Sequence, residues 1–155
     1  MTEAESSASD LDQGRAAARL TADYVLRSLQ LVIGLANGEF LTGLIAMAVS
    51  QANIAHLIQP EGTVRGSAPA GPLPDDARRP VSVLAVSQSL GLPYETTRRH
   101  IEKLVKAGYC VRVHKGVIVP STSMDTEGHR EMLAANLVNL RRLVRGLRSA
   151  GVDLG

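Results

Sequence analysis

The chain's 155 residues give room for one ordinary domain with accessory helices, and 45% hydrophobic with 21% charged residues is the balance of a protein that folds around its own core. Aromatic residues make up 3%, with no Trp, which leaves the core to Leu, Val, Ile and Ala and argues against stacking on single-stranded bases. A formal net charge of +2 is too small to mark a nucleic-acid binder, so the placement of charge matters more than its sum.

Residues 1–13 carry only acids (Glu3, Glu5, Asp10, Asp12) among small polar residues and are expected to be a disordered tail. Residues 14–58 are rich in helix formers and predict two helices broken near Asn37 and Gly38, with Glu39 in the first turn of the second. The stretch from Leu29 to Ser50 has Glu39 as its only charge and is long enough to cross a bilayer. Asn37, Gly38 and Glu39 would then sit at the bilayer centre, where polar groups are expensive, so no membrane is expected. The reading preferred is helices buried in a core or a dimer interface. Gln51, Asn53 and His56 follow on the same apolar helix and are expected to be hydrogen-bonded interface residues, with an effector pocket as the alternative.

Residues 59–78 concentrate Pro, Gly, Ser and Ala without an apolar period and predict an exposed linker. Between Arg78 and Lys115 the balance of charge changes. Arg78, Arg79, Arg98, Arg99, Lys103, Lys106, Arg112 and Lys115 face only Glu95 and Glu102, the footprint a phosphate backbone favours.

Within residues 79–121, Ser82 is placed to cap a short helix from Val83 to Leu90, and Gly91 to turn the chain through a left-handed conformation. Pro93 then suits the first position of a second helix, about 93–107, stopped by Gly108. Thr97, Ile101, Leu104 and Val105 line its buried face. That leaves Tyr94, Glu95, Thr96, Arg98, Arg99, Glu102, Lys103 and Lys106 for the other faces. A helix of this kind fits a major groove, where Arg pairs with guanine O6 and N7. After Gly108 the alternation of Tyr109 to Pro120 predicts a β-hairpin over 110–120 turning at Lys115-Gly116. Val111, Val113, Val117 and Val119 are expected on its inner face, and Arg112, His114 and Lys115 toward a sugar-phosphate backbone.

The run SVLAVSQSLGLPYETTRRHIEKLVKAGYCVRVHKGVIVPS resembles the winged helix-turn-helix of bacterial regulators of the MarR and GntR type. Val86-Ser87-x-x-Leu90-Gly91 stands where those families place Leu-Ala-x-x-Leu-Gly. Thr96-Thr97-Arg98, with Ile101 and Leu104, stands where they place Thr-Val-Arg and two core leucines. The resemblance implies that Arg98 contacts DNA and that Gly108 opens the wing. It covers about a quarter of the chain. Pro93 replaces the usual Ser or Thr cap, and the linker is longer than is normal in these families.

Residues 122–155 predict a helix starting near Ser123 or Asp125 and stopping at Gly151, with a seam of Leu133, Leu137, Leu140, Val144 and Leu147 that requires a partner helix. That partner is either the chain's own first helices or a second subunit. His100, Cys110 and His114 lack paired ligand spacings, so no metal or cofactor is expected. Cys110 reads as a small core residue, and no phosphate loop, nucleophile elbow or carboxylate pair suggests an enzyme. A single cysteine and an opening without signal-peptide features give a cytoplasmic expectation.

Taken together, the residues predict a mainly α protein with a small β-hairpin wing. Its expected function is sequence-specific binding of double-stranded DNA by a homodimeric transcriptional regulator, with an unidentified small-molecule effector compatible with it. A winged-helix module for protein interaction is the alternative.

Overall fold

The computed structural model describes residues 3–58 and 71–153, with side chains from residue 10 onward. The elements in chain order are α1 (Glu3–Leu35), α2 (Phe40–Ile54), α3 (Val83–Leu90), α4 (Tyr94–Lys106), β1 (Val111–Val113), β2 (Gly116–Ile118), α5 (Ser121–Met124) and α6 (Glu127–Ser149). Among the described residues the protein is mainly helical, with one small two-stranded antiparallel hairpin. They fall into two units, one formed by Val32–Glu131 and the other by Met1–Leu31 with Met132–Gly155.

In the unit Val32–Glu131, α1 ends at Leu35 and the chain turns through left-handed Asn37 (φ 51°) and Gly38 (φ 86°), the break that the Asn-Gly pair predicts. Helix α2 then contributes Ile45, Ala46 and Val49 to a core completed by Val86 of α3, Ile101 and Leu104 of α4, Cys110, Val117 and Val119. Although Phe40–Leu57 is apolar and long enough to cross a membrane, it packs its buried face into this core. Gly43 lets α2 approach α1 closely, because a Cβ there would lie 2.7 Å from the Val32 carbonyl oxygen.

Local chemistry sets the ends of the next helices. The Ser82 hydroxyl accepts from the Ala85 N–H (3.1 Å) at the start of α3, and Gly91 (φ 64°) closes it as the Leu92 N–H reaches back to the Ser87 carbonyl (3.0 Å). Ser87 is buried where the neighbouring helix approaches. Its hydroxyl is satisfied by the Leu84 carbonyl at 2.9 Å. Pro93 is extended (φ −58°, ψ 139°) and precedes α4 as its cap residue, one position earlier than the first-turn place expected for it.

The hairpin departs from expectation in register. Val111 pairs with Ile118, Arg112 with Val117 and Val113 with Gly116, so the turn residues are His114 and Lys115, with Lys115 left-handed at φ 73°. Gly116 is the first residue of β2 and is required by contact, since a Cβ there would collide with the Val81 carbonyl oxygen. Val81 pairs with Val117 on the other side of β2, which leaves β1 as the outer strand. Val111 and Val113 are therefore exposed, not on an inner face, and β2 with Val119 supplies the buried side.

Two further expectations are corrected. Helix α1 already runs from Glu3, so most of the segment read as a tail is helical. Of the linker, residues 59–70 lie outside the described residues, and its last part is packed in place. Leu73 and Arg78 are buried there, the Arg78 Nη2 donates to the Leu73 carbonyl (3.0 Å), and the Ser121 N–H donates to Asp75 Oδ1 (2.6 Å). Past the hairpin comes the single turn α5, and the Thr126 hydroxyl then accepts from the His129 N–H (3.2 Å) to start α6, slightly later than expected.

The other unit is an antiparallel helix pair. Asn136 Oδ1 of α6 accepts from Tyr24 Oη (3.3 Å) and Ser28 Oγ (3.4 Å) of α1, while further along α6 Gly146 lies against Leu20 and Gly151 against Gln13. The C-terminal helix thus pairs within its own chain. None of the unit's residues with described side chains is buried.

Asn53 holds the first unit together at the end of α2. Fully buried, its amide donates to the carbonyls of Arg79 (2.8 Å) and Val117 (3.1 Å) and accepts from the Val119 N–H (2.9 Å). Asn53→Leu would leave that N–H and one carbonyl lone-pair site on each of two residues without a partner. A loss of about 2 to 4 kcal/mol in urea denaturation is expected; wild-type stability in that variant would disprove the role.

Candidate nucleic-acid interface

Helix α4 is positioned by its buried side, Thr97, Ile101 and Leu104. Thr97 is fully buried, and its hydroxyl donates to the Pro93 carbonyl (3.2 Å), so a polar residue sits in the core without an unmet hydrogen bond. Successive residues step by 100°, which turns Arg99 and Lys106 directly away from the core. Arg98 and Glu102 lie on one flank of the helix, Lys103 and His100 on the other.

Each flank is neutralised by carboxylates. Arg98 Nε donates to Glu95 (3.0 Å) and Arg98 Nη1 to Glu102, and Glu102 also lies 3.8 Å from Arg112 Nη2. The hydrogen bond that Arg98 donates to Glu95 is the main cause that raises the Arg98 pKa, with the Glu102 charge next. Arg112, expected to reach for a phosphate backbone, shares the Val117 side of the hairpin and leans across to α4.

On the opposite flank, Lys103 Nζ donates to both carboxylate oxygens of Glu39, at 2.8 and 2.9 Å. Thr42 Oγ1 lies 2.6 Å from Glu39 Oε2 and 2.8 Å from His100 Nδ1. A hydroxyl carries one hydrogen, and an oxygen pair that close requires it, so the hydroxyl donates to Glu39 and His100 Nδ1–H donates to the hydroxyl. Lys103 first, and then the Thr42 hydroxyl, hold the Glu39 carboxyl below its usual range.

The sequence-derived residues therefore divide. Tyr94, Glu95, Arg99, Lys103, Arg112, His114 and Lys115 are exposed, whereas Thr96 and Arg98 are half-buried. Glu95, Arg98, Lys103 and Arg112 are tied into ion pairs. Among the described residues no ion pair engages Arg99, Lys106 or Lys115. Arg78, counted with the basic run, is buried and lies 3.7 Å from Asp75, so it adds nothing to the surface. Charge counting placed Lys106 in the basic run without giving it a role; the 100° step from Arg99 is the signal that marks it. Of the three helix residues set apart above, Asn53 alone is buried, while Gln51 and His56 are exposed. Burial pushes the Cys110 thiol up to about 12, which keeps it protonated and unreactive.

Comparison of the chain with family models, characterised proteins and solved structures finds no match.

Burial, assisted by Lys103 and Arg99 and opposed by Glu39, lowers the His100 pKa, and burial does the same for His129. In the unfolded chain an imidazole takes its proton near pH 6.5; in the fold it does so only at lower pH. The unfolded state thus binds more protons between those two values, so stability is full above about pH 6.5 and declines as pH falls through the window. His100→Gln, which keeps a donor for Thr42, is expected to flatten the decline in unfolding free energy between about pH 7 and 5. An unaltered slope would show that His100 does not carry it.

Proposed function

We propose that α2, α3, α4 and the hairpin form a winged helix-turn-helix that binds double-stranded DNA, and that the protein is a sequence-specific transcriptional regulator. The observation that carries the reading is the exposure of Arg99 and Lys106, free of carboxylates among the described residues, on a helix preceded by a tight Gly91 turn and flanked by a hairpin with Lys115 at its tip. Contact between Arg112 and Glu102 places that hairpin beside α4. In this reading α4 enters the major groove, where Tyr94, Glu95, Thr96, Arg98 and Arg99 meet bases, while Lys103, Arg112, His114 and Lys115 meet the backbone.

The regulator acts as a homodimer in the cytoplasm. Support for pairing comes from the helix pair, where α6 uses one side against α1 and leaves Leu133, Leu137 and Leu140 exposed on another. An apolar line on a helix with no buried residue calls for a covering surface. Sedimentation at micromolar concentration should give a dimer; a strict monomer would remove this part of the reading.

A second reading, a module that docks on a protein, is favoured by the neutralised flanks of α4 and by exposed Val111 and Val113. Selection from random duplexes separates the two, because enriched sites support the regulator and absence of enrichment at low salt supports the docking module. On a selected site, Arg99→Ala is expected to weaken binding roughly ten- to hundredfold and relax specificity. Lys115→Ala should weaken all sequences alike and reduce the salt slope by about one. Full binding by both variants would reject the assigned surface.

A further inference from the structure

We propose that Glu39 is a built-in counterion that competes with phosphate for Lys103, so that the nucleic-acid surface of the preceding section is held in a partly masked state. The inference rests on that reading. Glu39 is supplied by the connection between α1 and α2, far from α4 in sequence, and it grips the ammonium with both oxygens. Three features fix the carboxylate before any ligand arrives. Its own carbonyl accepts the Gly43 N–H (3.0 Å), its Oε2 takes the hydrogen of buried Thr42, and that hydroxyl is in turn held by His100.

The pair is half exposed on both sides (48% and 47%), which makes it cheap to open. An ion pair that contributes little to folding still subtracts one cation from the surface a phosphate meets. A phosphate that approaches Lys103 finds two of the ammonium's three hydrogens already taken and the Glu39 carboxylate beside it as a repelling charge. The position of Glu39 follows the left-handed turn at Asn37 and Gly38, where α1 ends.

The decisive variant is Glu39→Gln, which keeps an oxygen for the Thr42 hydroxyl and removes the charge. Full-length wild type and variant are titrated with a random-sequence duplex across a salt series. The expected result is a three- to tenfold gain in affinity at low salt, with the salt slope steeper by about one phosphate. In Glu39→Gln with Lys103→Gln the gain should vanish, leaving the affinity of Lys103→Gln alone, while thermal unfolding confirms that each variant folds. Equal or weaker binding by folded Glu39→Gln overturns the mask. If neither protein binds duplex DNA, the regulator reading fails separately, and elution from immobilised heparin decides the mask. Later elution of Glu39→Gln supports it against another polyanion, and identical elution rejects it.

Discussion

The amide of Asn53 is the point on which the Val32–Glu131 unit depends. It stands at the end of α2 and joins, through one fully buried side chain, the strand-like residues before α3 to β2 and to the residue beyond it. Its own carbonyl also accepts the Arg79 N–H at 2.9 Å. An apolar residue of the same size would fill the space but leave backbone groups dehydrated without partners, a cost larger than the burial it adds. The amide therefore does more than stabilise: it permits one register. The Val81–Val117 pairing and the approach of Gly116 to the Val81 carbonyl follow from where Asn53 holds those strands. The position of Arg112 beside α4, and with it the electrostatics of that helix, follows from the register.

The parts of this fold legible in the sequence are those governed by neighbours in the chain. Ser82 as a cap, Gly91 and Gly151 as left-handed stops, the break at Asn37 and Gly38, and the inward line of Thr97, Ile101 and Leu104 need only local backbone rules. What was not legible depends on partners far along the chain. Arg78 is the exception, because its partners, the Leu73 carbonyl and Asp75, lie within five residues, yet a count of charges places it on the surface. Alternation assigned Val111 and Val113 inward because alternation cannot say which strand is the edge; Val81 takes the inner position, which leaves β1 outside. Asn53 belongs to the same class. An asparagine in an apolar helix signals a buried hydrogen-bond hub only once its carbonyl partners are known.

The candidate surface shows why a count of cations overstates a binding site. The basic run promised a continuous patch, yet Glu102 sits between Arg98 and Arg112, and Glu39 reaches Lys103 from another element. Each exposed pair adds little to folding but lowers the local potential that would attract phosphate. Of the basic run, the exposed cations that remain without an ion pair among the described residues are a narrow line on α4, Arg99 and Lys106, with Lys115 on the hairpin turn and Arg79 before α3. Under the proposed function, such a surface would suit selective recognition better than strong nonspecific adhesion, because the sequence-independent part of affinity grows with the number of cations available for counterion release.

The helix pair poses a different physical problem. Ordering a residue's backbone costs about 1 to 2 kcal/mol, and apolar burial is the main term that offsets it. The core of the other unit supplies that term. In α6 no residue is buried, and the pair is held by side-chain contacts such as those of Asn136 and Gly146. Side-chain hydrogen bonds contribute about 1 kcal/mol each at most sites, far short of the ordering cost of two long helices. Leu133, Leu137 and Leu140, with Leu11, Val25, Leu26 and Val138, are exposed apolar side chains whose burial is still available to these helices, and another surface is needed to supply it. A helix pair stabilised in that way gains order by association, so its folding is linked by mass action to the concentration of whatever covers it. If the covering surface is a second copy, the order of the pair and the number of α4 helices presented together rise with the same variable.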